Sequence, residues 1–165
     1  MIIDQRAERV ADFAQSALFD RTFRDGMALV EETSAYLDGP GRQEARMLSR
    51  NAAVSYACQS LALTTSLMQA ASWLLVQKAV RDGDMEPGQA CQNHFRLSDS
   101  QWQNLAPTSD DLPQKLTALL ARAVRLHTQL AQLDARLFLD SAQTRQDHPV
   151  LAQQDRLHQL FVVPA

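Results

Sequence analysis

Asn51 to Gln77 reads NAAVSYACQSLALTTSLMQAASWLLVQ, bounded by Arg50 and Lys78, with no Asp, Glu, Lys, Arg or His between them. A helix at the surface of a globular protein carries charge on its wet side. An uncharged stretch of this length therefore predicts a central helix with neighbours around most of it. At about 100° per residue, Val54, Ala57, Leu61, Thr64, Met68, Ala71 and Leu75 step by three and four along one side. That is the spacing of a seam packed against other helices. Tyr56, Leu63, Leu67, Ala70 and Leu74 run along nearly the opposite side, with Trp73 on the border between the two. Two partner helices in a small bundle cover one broad arc. The second stripe therefore predicts a dimer seam or partner interface made of Tyr56, Leu63, Leu67, Ala70, Trp73 and Leu74.

The stretch exceeds the roughly 20 residues a bilayer requires. It also carries Gln59, Gln69 and Gln77, which are costly in hydrocarbon. The expectation is a soluble buried helix and no membrane.

Working outward, residues 1–15 are polar and weakly patterned, and predict a frayed or short helical lead-in. Ser16 caps a first amphipathic helix over 17–37, with Phe19, Phe23, Met27, Val30, Ser34 and Leu37 on one face. Gly26 lies inside it, and Asp38-Gly39-Pro40-Gly41 is the stop. Arg42, Arg46 and Arg50 step by four toward the central helix and read as a solvated basic row. Ser49 caps the long helix, which runs to about Asp82 and ends at Gly83. Pro87 to Phe95 predicts a short connecting helix. A third long helix opens at Ser109, Asp110 and Asp111 with Pro113 in its first turn. Along it Leu116, Leu119, Ala123, Leu126, Leu130, Leu133 and Leu137 repeat by three and four, flanked by Leu112 and Leu120.

After Leu139 the pattern loosens. Val150, Leu157, Leu160 and Phe161 share a helical face behind a polar linker, as a fourth docked element or as a peptide that binds a partner. No segment shows the alternation of a strand. The fold predicted is all-α, an antiparallel three-helix bundle over 1–141, with a C-terminal tail over 142–165 carrying the short amphipathic segment.

The 165 residues suit one domain, and 45% hydrophobic content with five glycines and six prolines suits a globular helical one. A net charge of −3 gives no general attraction to nucleic acid or to an anionic surface. Cys58 and Cys91 have no paired spacing, and MIIDQRAERVADFAQ places charges inside what a signal peptide would need as its apolar core. Free thiols in the cytoplasm are the expectation.

Cys91 and His94 make half of a zinc site with no second half at suitable spacing. His127, beside the apolar stripe of the third helix, suits a satisfied core-edge histidine. Glu31 and Glu32 point about 100° apart on a helix and are poorly placed to share a proton. There is no phosphate loop, no HExxH and no nucleophile elbow. No catalytic, cofactor-binding or metal-binding residue is assigned. The alternatives to an interaction protein are an enzyme or small-molecule site inside the bundle and, less supported, a nucleic-acid module.

Two strings carry a family resemblance. LTTSLMQAASWLLVQKAVRDGDM, Leu63 to Met85, resembles the signature segment of the alphaproteobacterial regulator of CtrA degradation family, and DRTFRDGMALVEETSAYLDGPGR, Asp20 to Arg42, is similar to the segment preceding it there. The resemblance implies a three-helix bundle that forms homodimers. It further implies a non-enzymatic cytoplasmic adaptor that brings cargo proteins to a ClpXP-type protease in the cell cycle, with the unfoldase, a response regulator and other adaptors as partners. A generic helical dimerisation module without a protease link is the alternative within the same class. Where the resemblance implies one acidic and two basic residues around the LTT segment, this chain has Gln59, Ala62 and Ser66, on an arc with Ser55. That departure touches the choice of cargo more than the fold.

Overall fold

The computed structural model describes residues 2–97 and 111–138, all-α and with no strand among them. The helices are α1 (Ile2–Ala14), α2 (Ala17–Asp38), α3 (Pro40–Met47), α4 (Arg50–Asp82), α5 (Pro87–Ala90) and α6 (Gln114–Phe138), with a 3-10 turn at Asn93–Phe95. The boundary set at 141 and the tail beyond it lie outside the described residues, as do Val150, Leu157, Leu160 and Phe161.

The caps follow from the residue types at the ends. The Ser16 and Ser49 hydroxyls accept the N–H groups of Phe19 and Ala52, at 3.1 and 3.3 Å, which satisfies donors that have no partner inside the helix. Gly83 closes α4 in the left-handed region at φ 80°, a conformation that costs glycine little. Asp38-Gly39 ends α2, but Pro40 also begins α3, since proline in a first turn forgoes no hydrogen bond. The connecting helix is shorter than expected, because Cys91 and Gln92 separate α5 from the 3-10 turn. The lead-in is no frayed segment but a 13-residue helix. Val10, Phe13 and Ala14 hold it by burial, and the Phe13 ring meets Phe19 edge-on at 5.7 Å and Trp73 at 6.0 Å.

Three long helices, α2, α4 and α6, enclose the core. Asp20 pairs with Arg81, Gly26 lies against Leu74, and Tyr36 lies near Tyr56 through Gly41, so α2 runs antiparallel to α4. Thr22 accepts from Gln129, and Glu32 takes both Lys115 and Arg122, so α2 is antiparallel to α6 as well. It follows that α4 and α6 run in the same direction, joined by the long connection from Gly83 to Pro113.

The leucine row of α6 is buried as its spacing predicts. On α2 the buried face is Phe19, Thr22, Gly26, Leu29, Thr33 and Tyr36, about one residue back from the expected row. Phe23, Met27, Val30 and Leu37 are half-buried and Ser34 is exposed. Gly26 centres this face: a Cβ there would stand 2.6 Å from Leu74 Cδ1, so the absent side chain lets Leu74 and Leu126 close in. The local cost of a mid-helix glycine, roughly 1 kcal/mol, is offset by that packing.

Two polar features close the end of the bundle where α6 begins. The Tyr36 hydroxyl donates to Glu44 at 2.6 Å; burial, then this bond, holds the phenol well above its ordinary pKa. Glu32 accepts from Lys115 and Arg122, which hold its carboxyl below the usual carboxylate range.

Gly41 has no room for a side chain, since a Cβ would lie 2.8 Å from the Tyr36 carbonyl oxygen and 2.5 Å from the Tyr56 hydroxyl. Gly41→Ala is expected to destabilise by about 1–3 kcal/mol in denaturant unfolding, while Gly88→Ala, with nothing within 4 Å, leaves stability unchanged or slightly raised. Because the Glu32 pKa is lowered on folding, its contribution is present above the unfolded value of about 4.3 and is lost as pH falls through the folded one. Glu32→Gln is expected to be less stable than the parent at pH 7, with the two unfolding midpoints converging below about pH 4.

Candidate interaction surface

The two stripes of α4 are placed opposite to expectation. Tyr56, Leu63, Leu67, Ala70, Trp73 and Leu74, assigned from the sequence to a dimer or partner seam, are all buried in the chain's own core. The residues that face outward are the regular apolar row, with Val54 61% exposed, Leu61 69%, Met68 66% and Leu75 52%. This correction has a physical reason. Ala57, Thr64 and Ala71 contribute little area to the regular row, whereas the other face carries Tyr56, Trp73 and three leucines. Burial stabilises in proportion to apolar area, about 25 cal/mol per Å², not to regularity of spacing.

The inner face is also more polar than its stripe suggested. Gln59, Ser66 and Gln77 are buried there with the leucines. Gln59 and Ser66, read from the sequence as part of an altered polar surface, belong to the core and not to a surface.

The buried pair of Trp73 and Asp134 sets the rotation of α4. The Trp73 indole N–H donates to Asp134 Oδ1 at 2.9 Å, and Arg96 Nη2 donates to Oδ2 at 3.0 Å. The Leu97 N–H adds a longer bond at 3.4 Å, and the Arg96 guanidinium lies 4.9 Å from the Phe138 ring centre. These contacts pin the connection after α5 against both long helices. Asp134 and Arg96 were not singled out from the sequence. The available signal was one carboxylate among the leucines of α6's inner face, at Leu130, Leu133 and Leu137.

What remains outside is a ridge with a groove on each side. One groove, about 430 Å³, lies between α4 and the 3-10 turn and is lined by Met68, Gln69, Trp73, Val76 and Phe95 among others. The second, about 310 Å³, lies between α2 and α4 and includes Val30, Thr33, Leu37, Leu67 and Met68. Among the described residues the Thr33 hydroxyl and Gln69 Oε1 are buried without a hydrogen-bond partner, one in the lining of each groove. A ridge between two grooves receives another helix by interdigitation.

Among the described residues, none of the clusters of three or more His, Cys, Asp or Glu that a metal requires is found. His94 packs on Phe95 at 4.0 Å, and Cys91 Sγ donates to the Pro87 carbonyl at 3.3 Å. Burial raises the Cys91 pKa, against the lowering by Arg6 and Arg9. His127 is half-buried on α6. No helix among the described residues is long and apolar enough to cross a membrane.

The two faces of α4 are expected to separate cleanly in unfolding experiments at low protein concentration. Leu63→Ala and Leu67→Ala each lose about 2–5 kcal/mol, the cost of an emptied core leucine. Leu61→Glu and Met68→Glu stay within about 0.5 kcal/mol of the parent.

Among curated proteins none matches the chain. The model of DUF1465, a family described as protein of unknown function, matches residues 10–161. The crystal structure of RcdA from Caulobacter crescentus CB15 is similar at 51% sequence identity and a TM-score of 0.67, covering 79% of this chain and 99% of that one. With a regular fold shared over nearly all of RcdA and a family match spanning most of its length, the chain belongs to the RcdA-like DUF1465 family.

Proposed function

We propose that this chain is a non-enzymatic cytoplasmic adaptor that delivers cargo proteins to a ClpXP-type protease in bacterial cell-cycle control, and that it acts as a homodimer. The observation that carries the reading is the 51% identity to RcdA across 99% of that chain, together with the family's role as regulators of CtrA degradation. The surface supports it. The outward face of α4 between Arg50 and Lys78 offers no acid, base or histidine for chemistry, but it does offer uncharged apolar area of the kind that binds helices. An adaptor of this type needs no active site. It raises the rate of proteolysis by holding cargo near the unfoldase, so that capture becomes intramolecular and is governed by effective concentration. In the dimer, the ridge of Val54, Leu61, Met68 and Leu75 replaces the inner stripe as the seam.

The reading is tested by measuring protein half-lives across the proteome in cells lacking the chain and in cells depleted of the unfoldase ClpX. The expected result is a set of proteins stabilised in both. No shared set removes the protease link and leaves a helical interaction module. Light scattering of the purified chain is expected to give the mass of a dimer. Leu61→Glu with Met68→Glu is expected to weaken association by roughly a hundredfold or more, with the helical circular dichroism retained.

A further inference from the structure

The α4 ridge ends in opposite charges. At its start Arg46 and Arg50 are exposed, and neither makes an ion pair within the described residues. Beside them Met47 is 87% exposed. At its far end Asp82, Asp84 and Glu86 are exposed, with Met85 half-buried among them. Of these, Asp82 reaches back to Lys78 across the surface. Arg50 is the first residue of α4 and Asp82 the last. Each therefore sits where the helix dipole disfavours its charge. A helix optimised for itself would carry them the other way round.

The ridge between these ends alternates in size. Counted from the midpoint of α4 at Ser66, every large outward side chain has a small one at the same distance on the other side. Met68 answers to Thr64, Leu61 to Ala71 and Ser72, Leu75 to Ala57, and Val54 to Ala79. The charges and methionines obey the same relation: Arg50 with Asp82, Arg46 with Glu86, and Met47 with Met85.

We infer that the second copy packs antiparallel on α4, with a two-fold axis level with Ser66, so that each large ridge residue meets a small one of the partner and Arg46 and Arg50 face the partner's Glu86 and the partner's Asp82. This rests on the homodimer reading above and deepens it by fixing orientation and register. A parallel pair would set Leu61 on the partner's Leu61 and Ala57 on the partner's Ala57, alternating collisions with voids. It would also set Arg50 on the partner's Arg50 and Asp82 on the partner's Asp82. The antiparallel pair removes both conflicts. Its uncharged centre supplies affinity, and its exposed ends select orientation and speed encounter.

The charges are tested first, in the full-length chain. Arg50→Glu is expected to weaken dimerisation about tenfold at low salt and less at high salt. Adding Asp82→Arg in the same chain restores it, because the reversed pair again matches across the dimer. Both substitutions suit the dipole of α4, so the helix itself loses nothing. Failure of the second substitution to restore association overturns the antiparallel register.

Cross-linking provides the second reading. In a full-length chain with Cys58→Ser and Cys91→Ser, Ala57→Cys together with Leu75→Cys is expected to give a covalent dimer under oxidised glutathione. Either of them alone does not, since the two copies of position 57 lie about 27 Å apart along the helix at 1.5 Å per residue, far beyond disulfide reach. Cross-linking of each single variant to itself would show a parallel dimer and overturn this inference while the dimer stands. A monomeric mass for the parent chain would overturn the dimer reading itself.

Discussion

Trp73 carries an N–H that must be paired wherever the ring is buried, and Asp134 is the acceptor that the fold provides. Asp134 in turn is a carboxylate inside the bundle, where an unpaired charge is costly. Arg96 and the Leu97 N–H complete its partners. These few bonds connect α4, α6 and the connection between them. They also decide how α4 is turned about its own axis. With the indole directed at α6 and its ring against Phe13 of α1, the leucines on either side of Trp73 go inward and the regular apolar row goes out.

That rotation has an energetic cost inside the molecule. Gln77 and Ser66 follow Trp73 into the core, and among the described residues the Gln77 amide atoms and the Ser66 hydroxyl have no hydrogen-bond partner. Such groups cost about 1–3 kcal/mol each when left unpaired. Turning α4 to bury Leu61, Met68 and Leu75 would relieve them but would expose Trp73, Leu63 and Leu74 and leave Asp134 without its indole donor. The arrangement holds because the aromatic cluster of Phe13, Phe19 and Trp73 buries more apolar area than the ridge does. The ridge is what remains once the core has been satisfied.

Much of this was legible in the sequence, and the limits have physical causes. Helix ends depend on single residues acting locally, so Ser16, Ser49 and Gly83 marked them well and α4 runs from Arg50 to Asp82 as expected. The inward face of α6 was equally plain, because its leucines form one row with no rival. On α4 two rows competed, and counting regular spacing favoured the wrong one; residue size, with Tyr56 and Trp73 on the irregular side, was the better guide. On α2 the misreading was smaller, since the contact centres on Gly26, a residue without a side chain to count. The lead-in was undervalued because its polar composition hid Val10, Phe13 and Ala14. The Asp134–Arg96 bond joins residues far apart in sequence and gave no spacing to read.

An adaptor must bind more than one thing without being tied permanently to any of them, and the division of labour on α4 suits that requirement. The inner face is locked by aromatic packing and a buried carboxylate, so the scaffold does not have to reorganise when the outer face is covered. The outer face is uncharged for most of its length, and the free energy of covering it comes from apolar area, which salt affects little. Charge is confined to the two ends, where water screens it and each pair is worth little by itself. Strength and orientation are thus set by different residues. Evolution can alter one without disturbing the other, and neither change passes through the Trp73–Asp134 bond on which the fold depends.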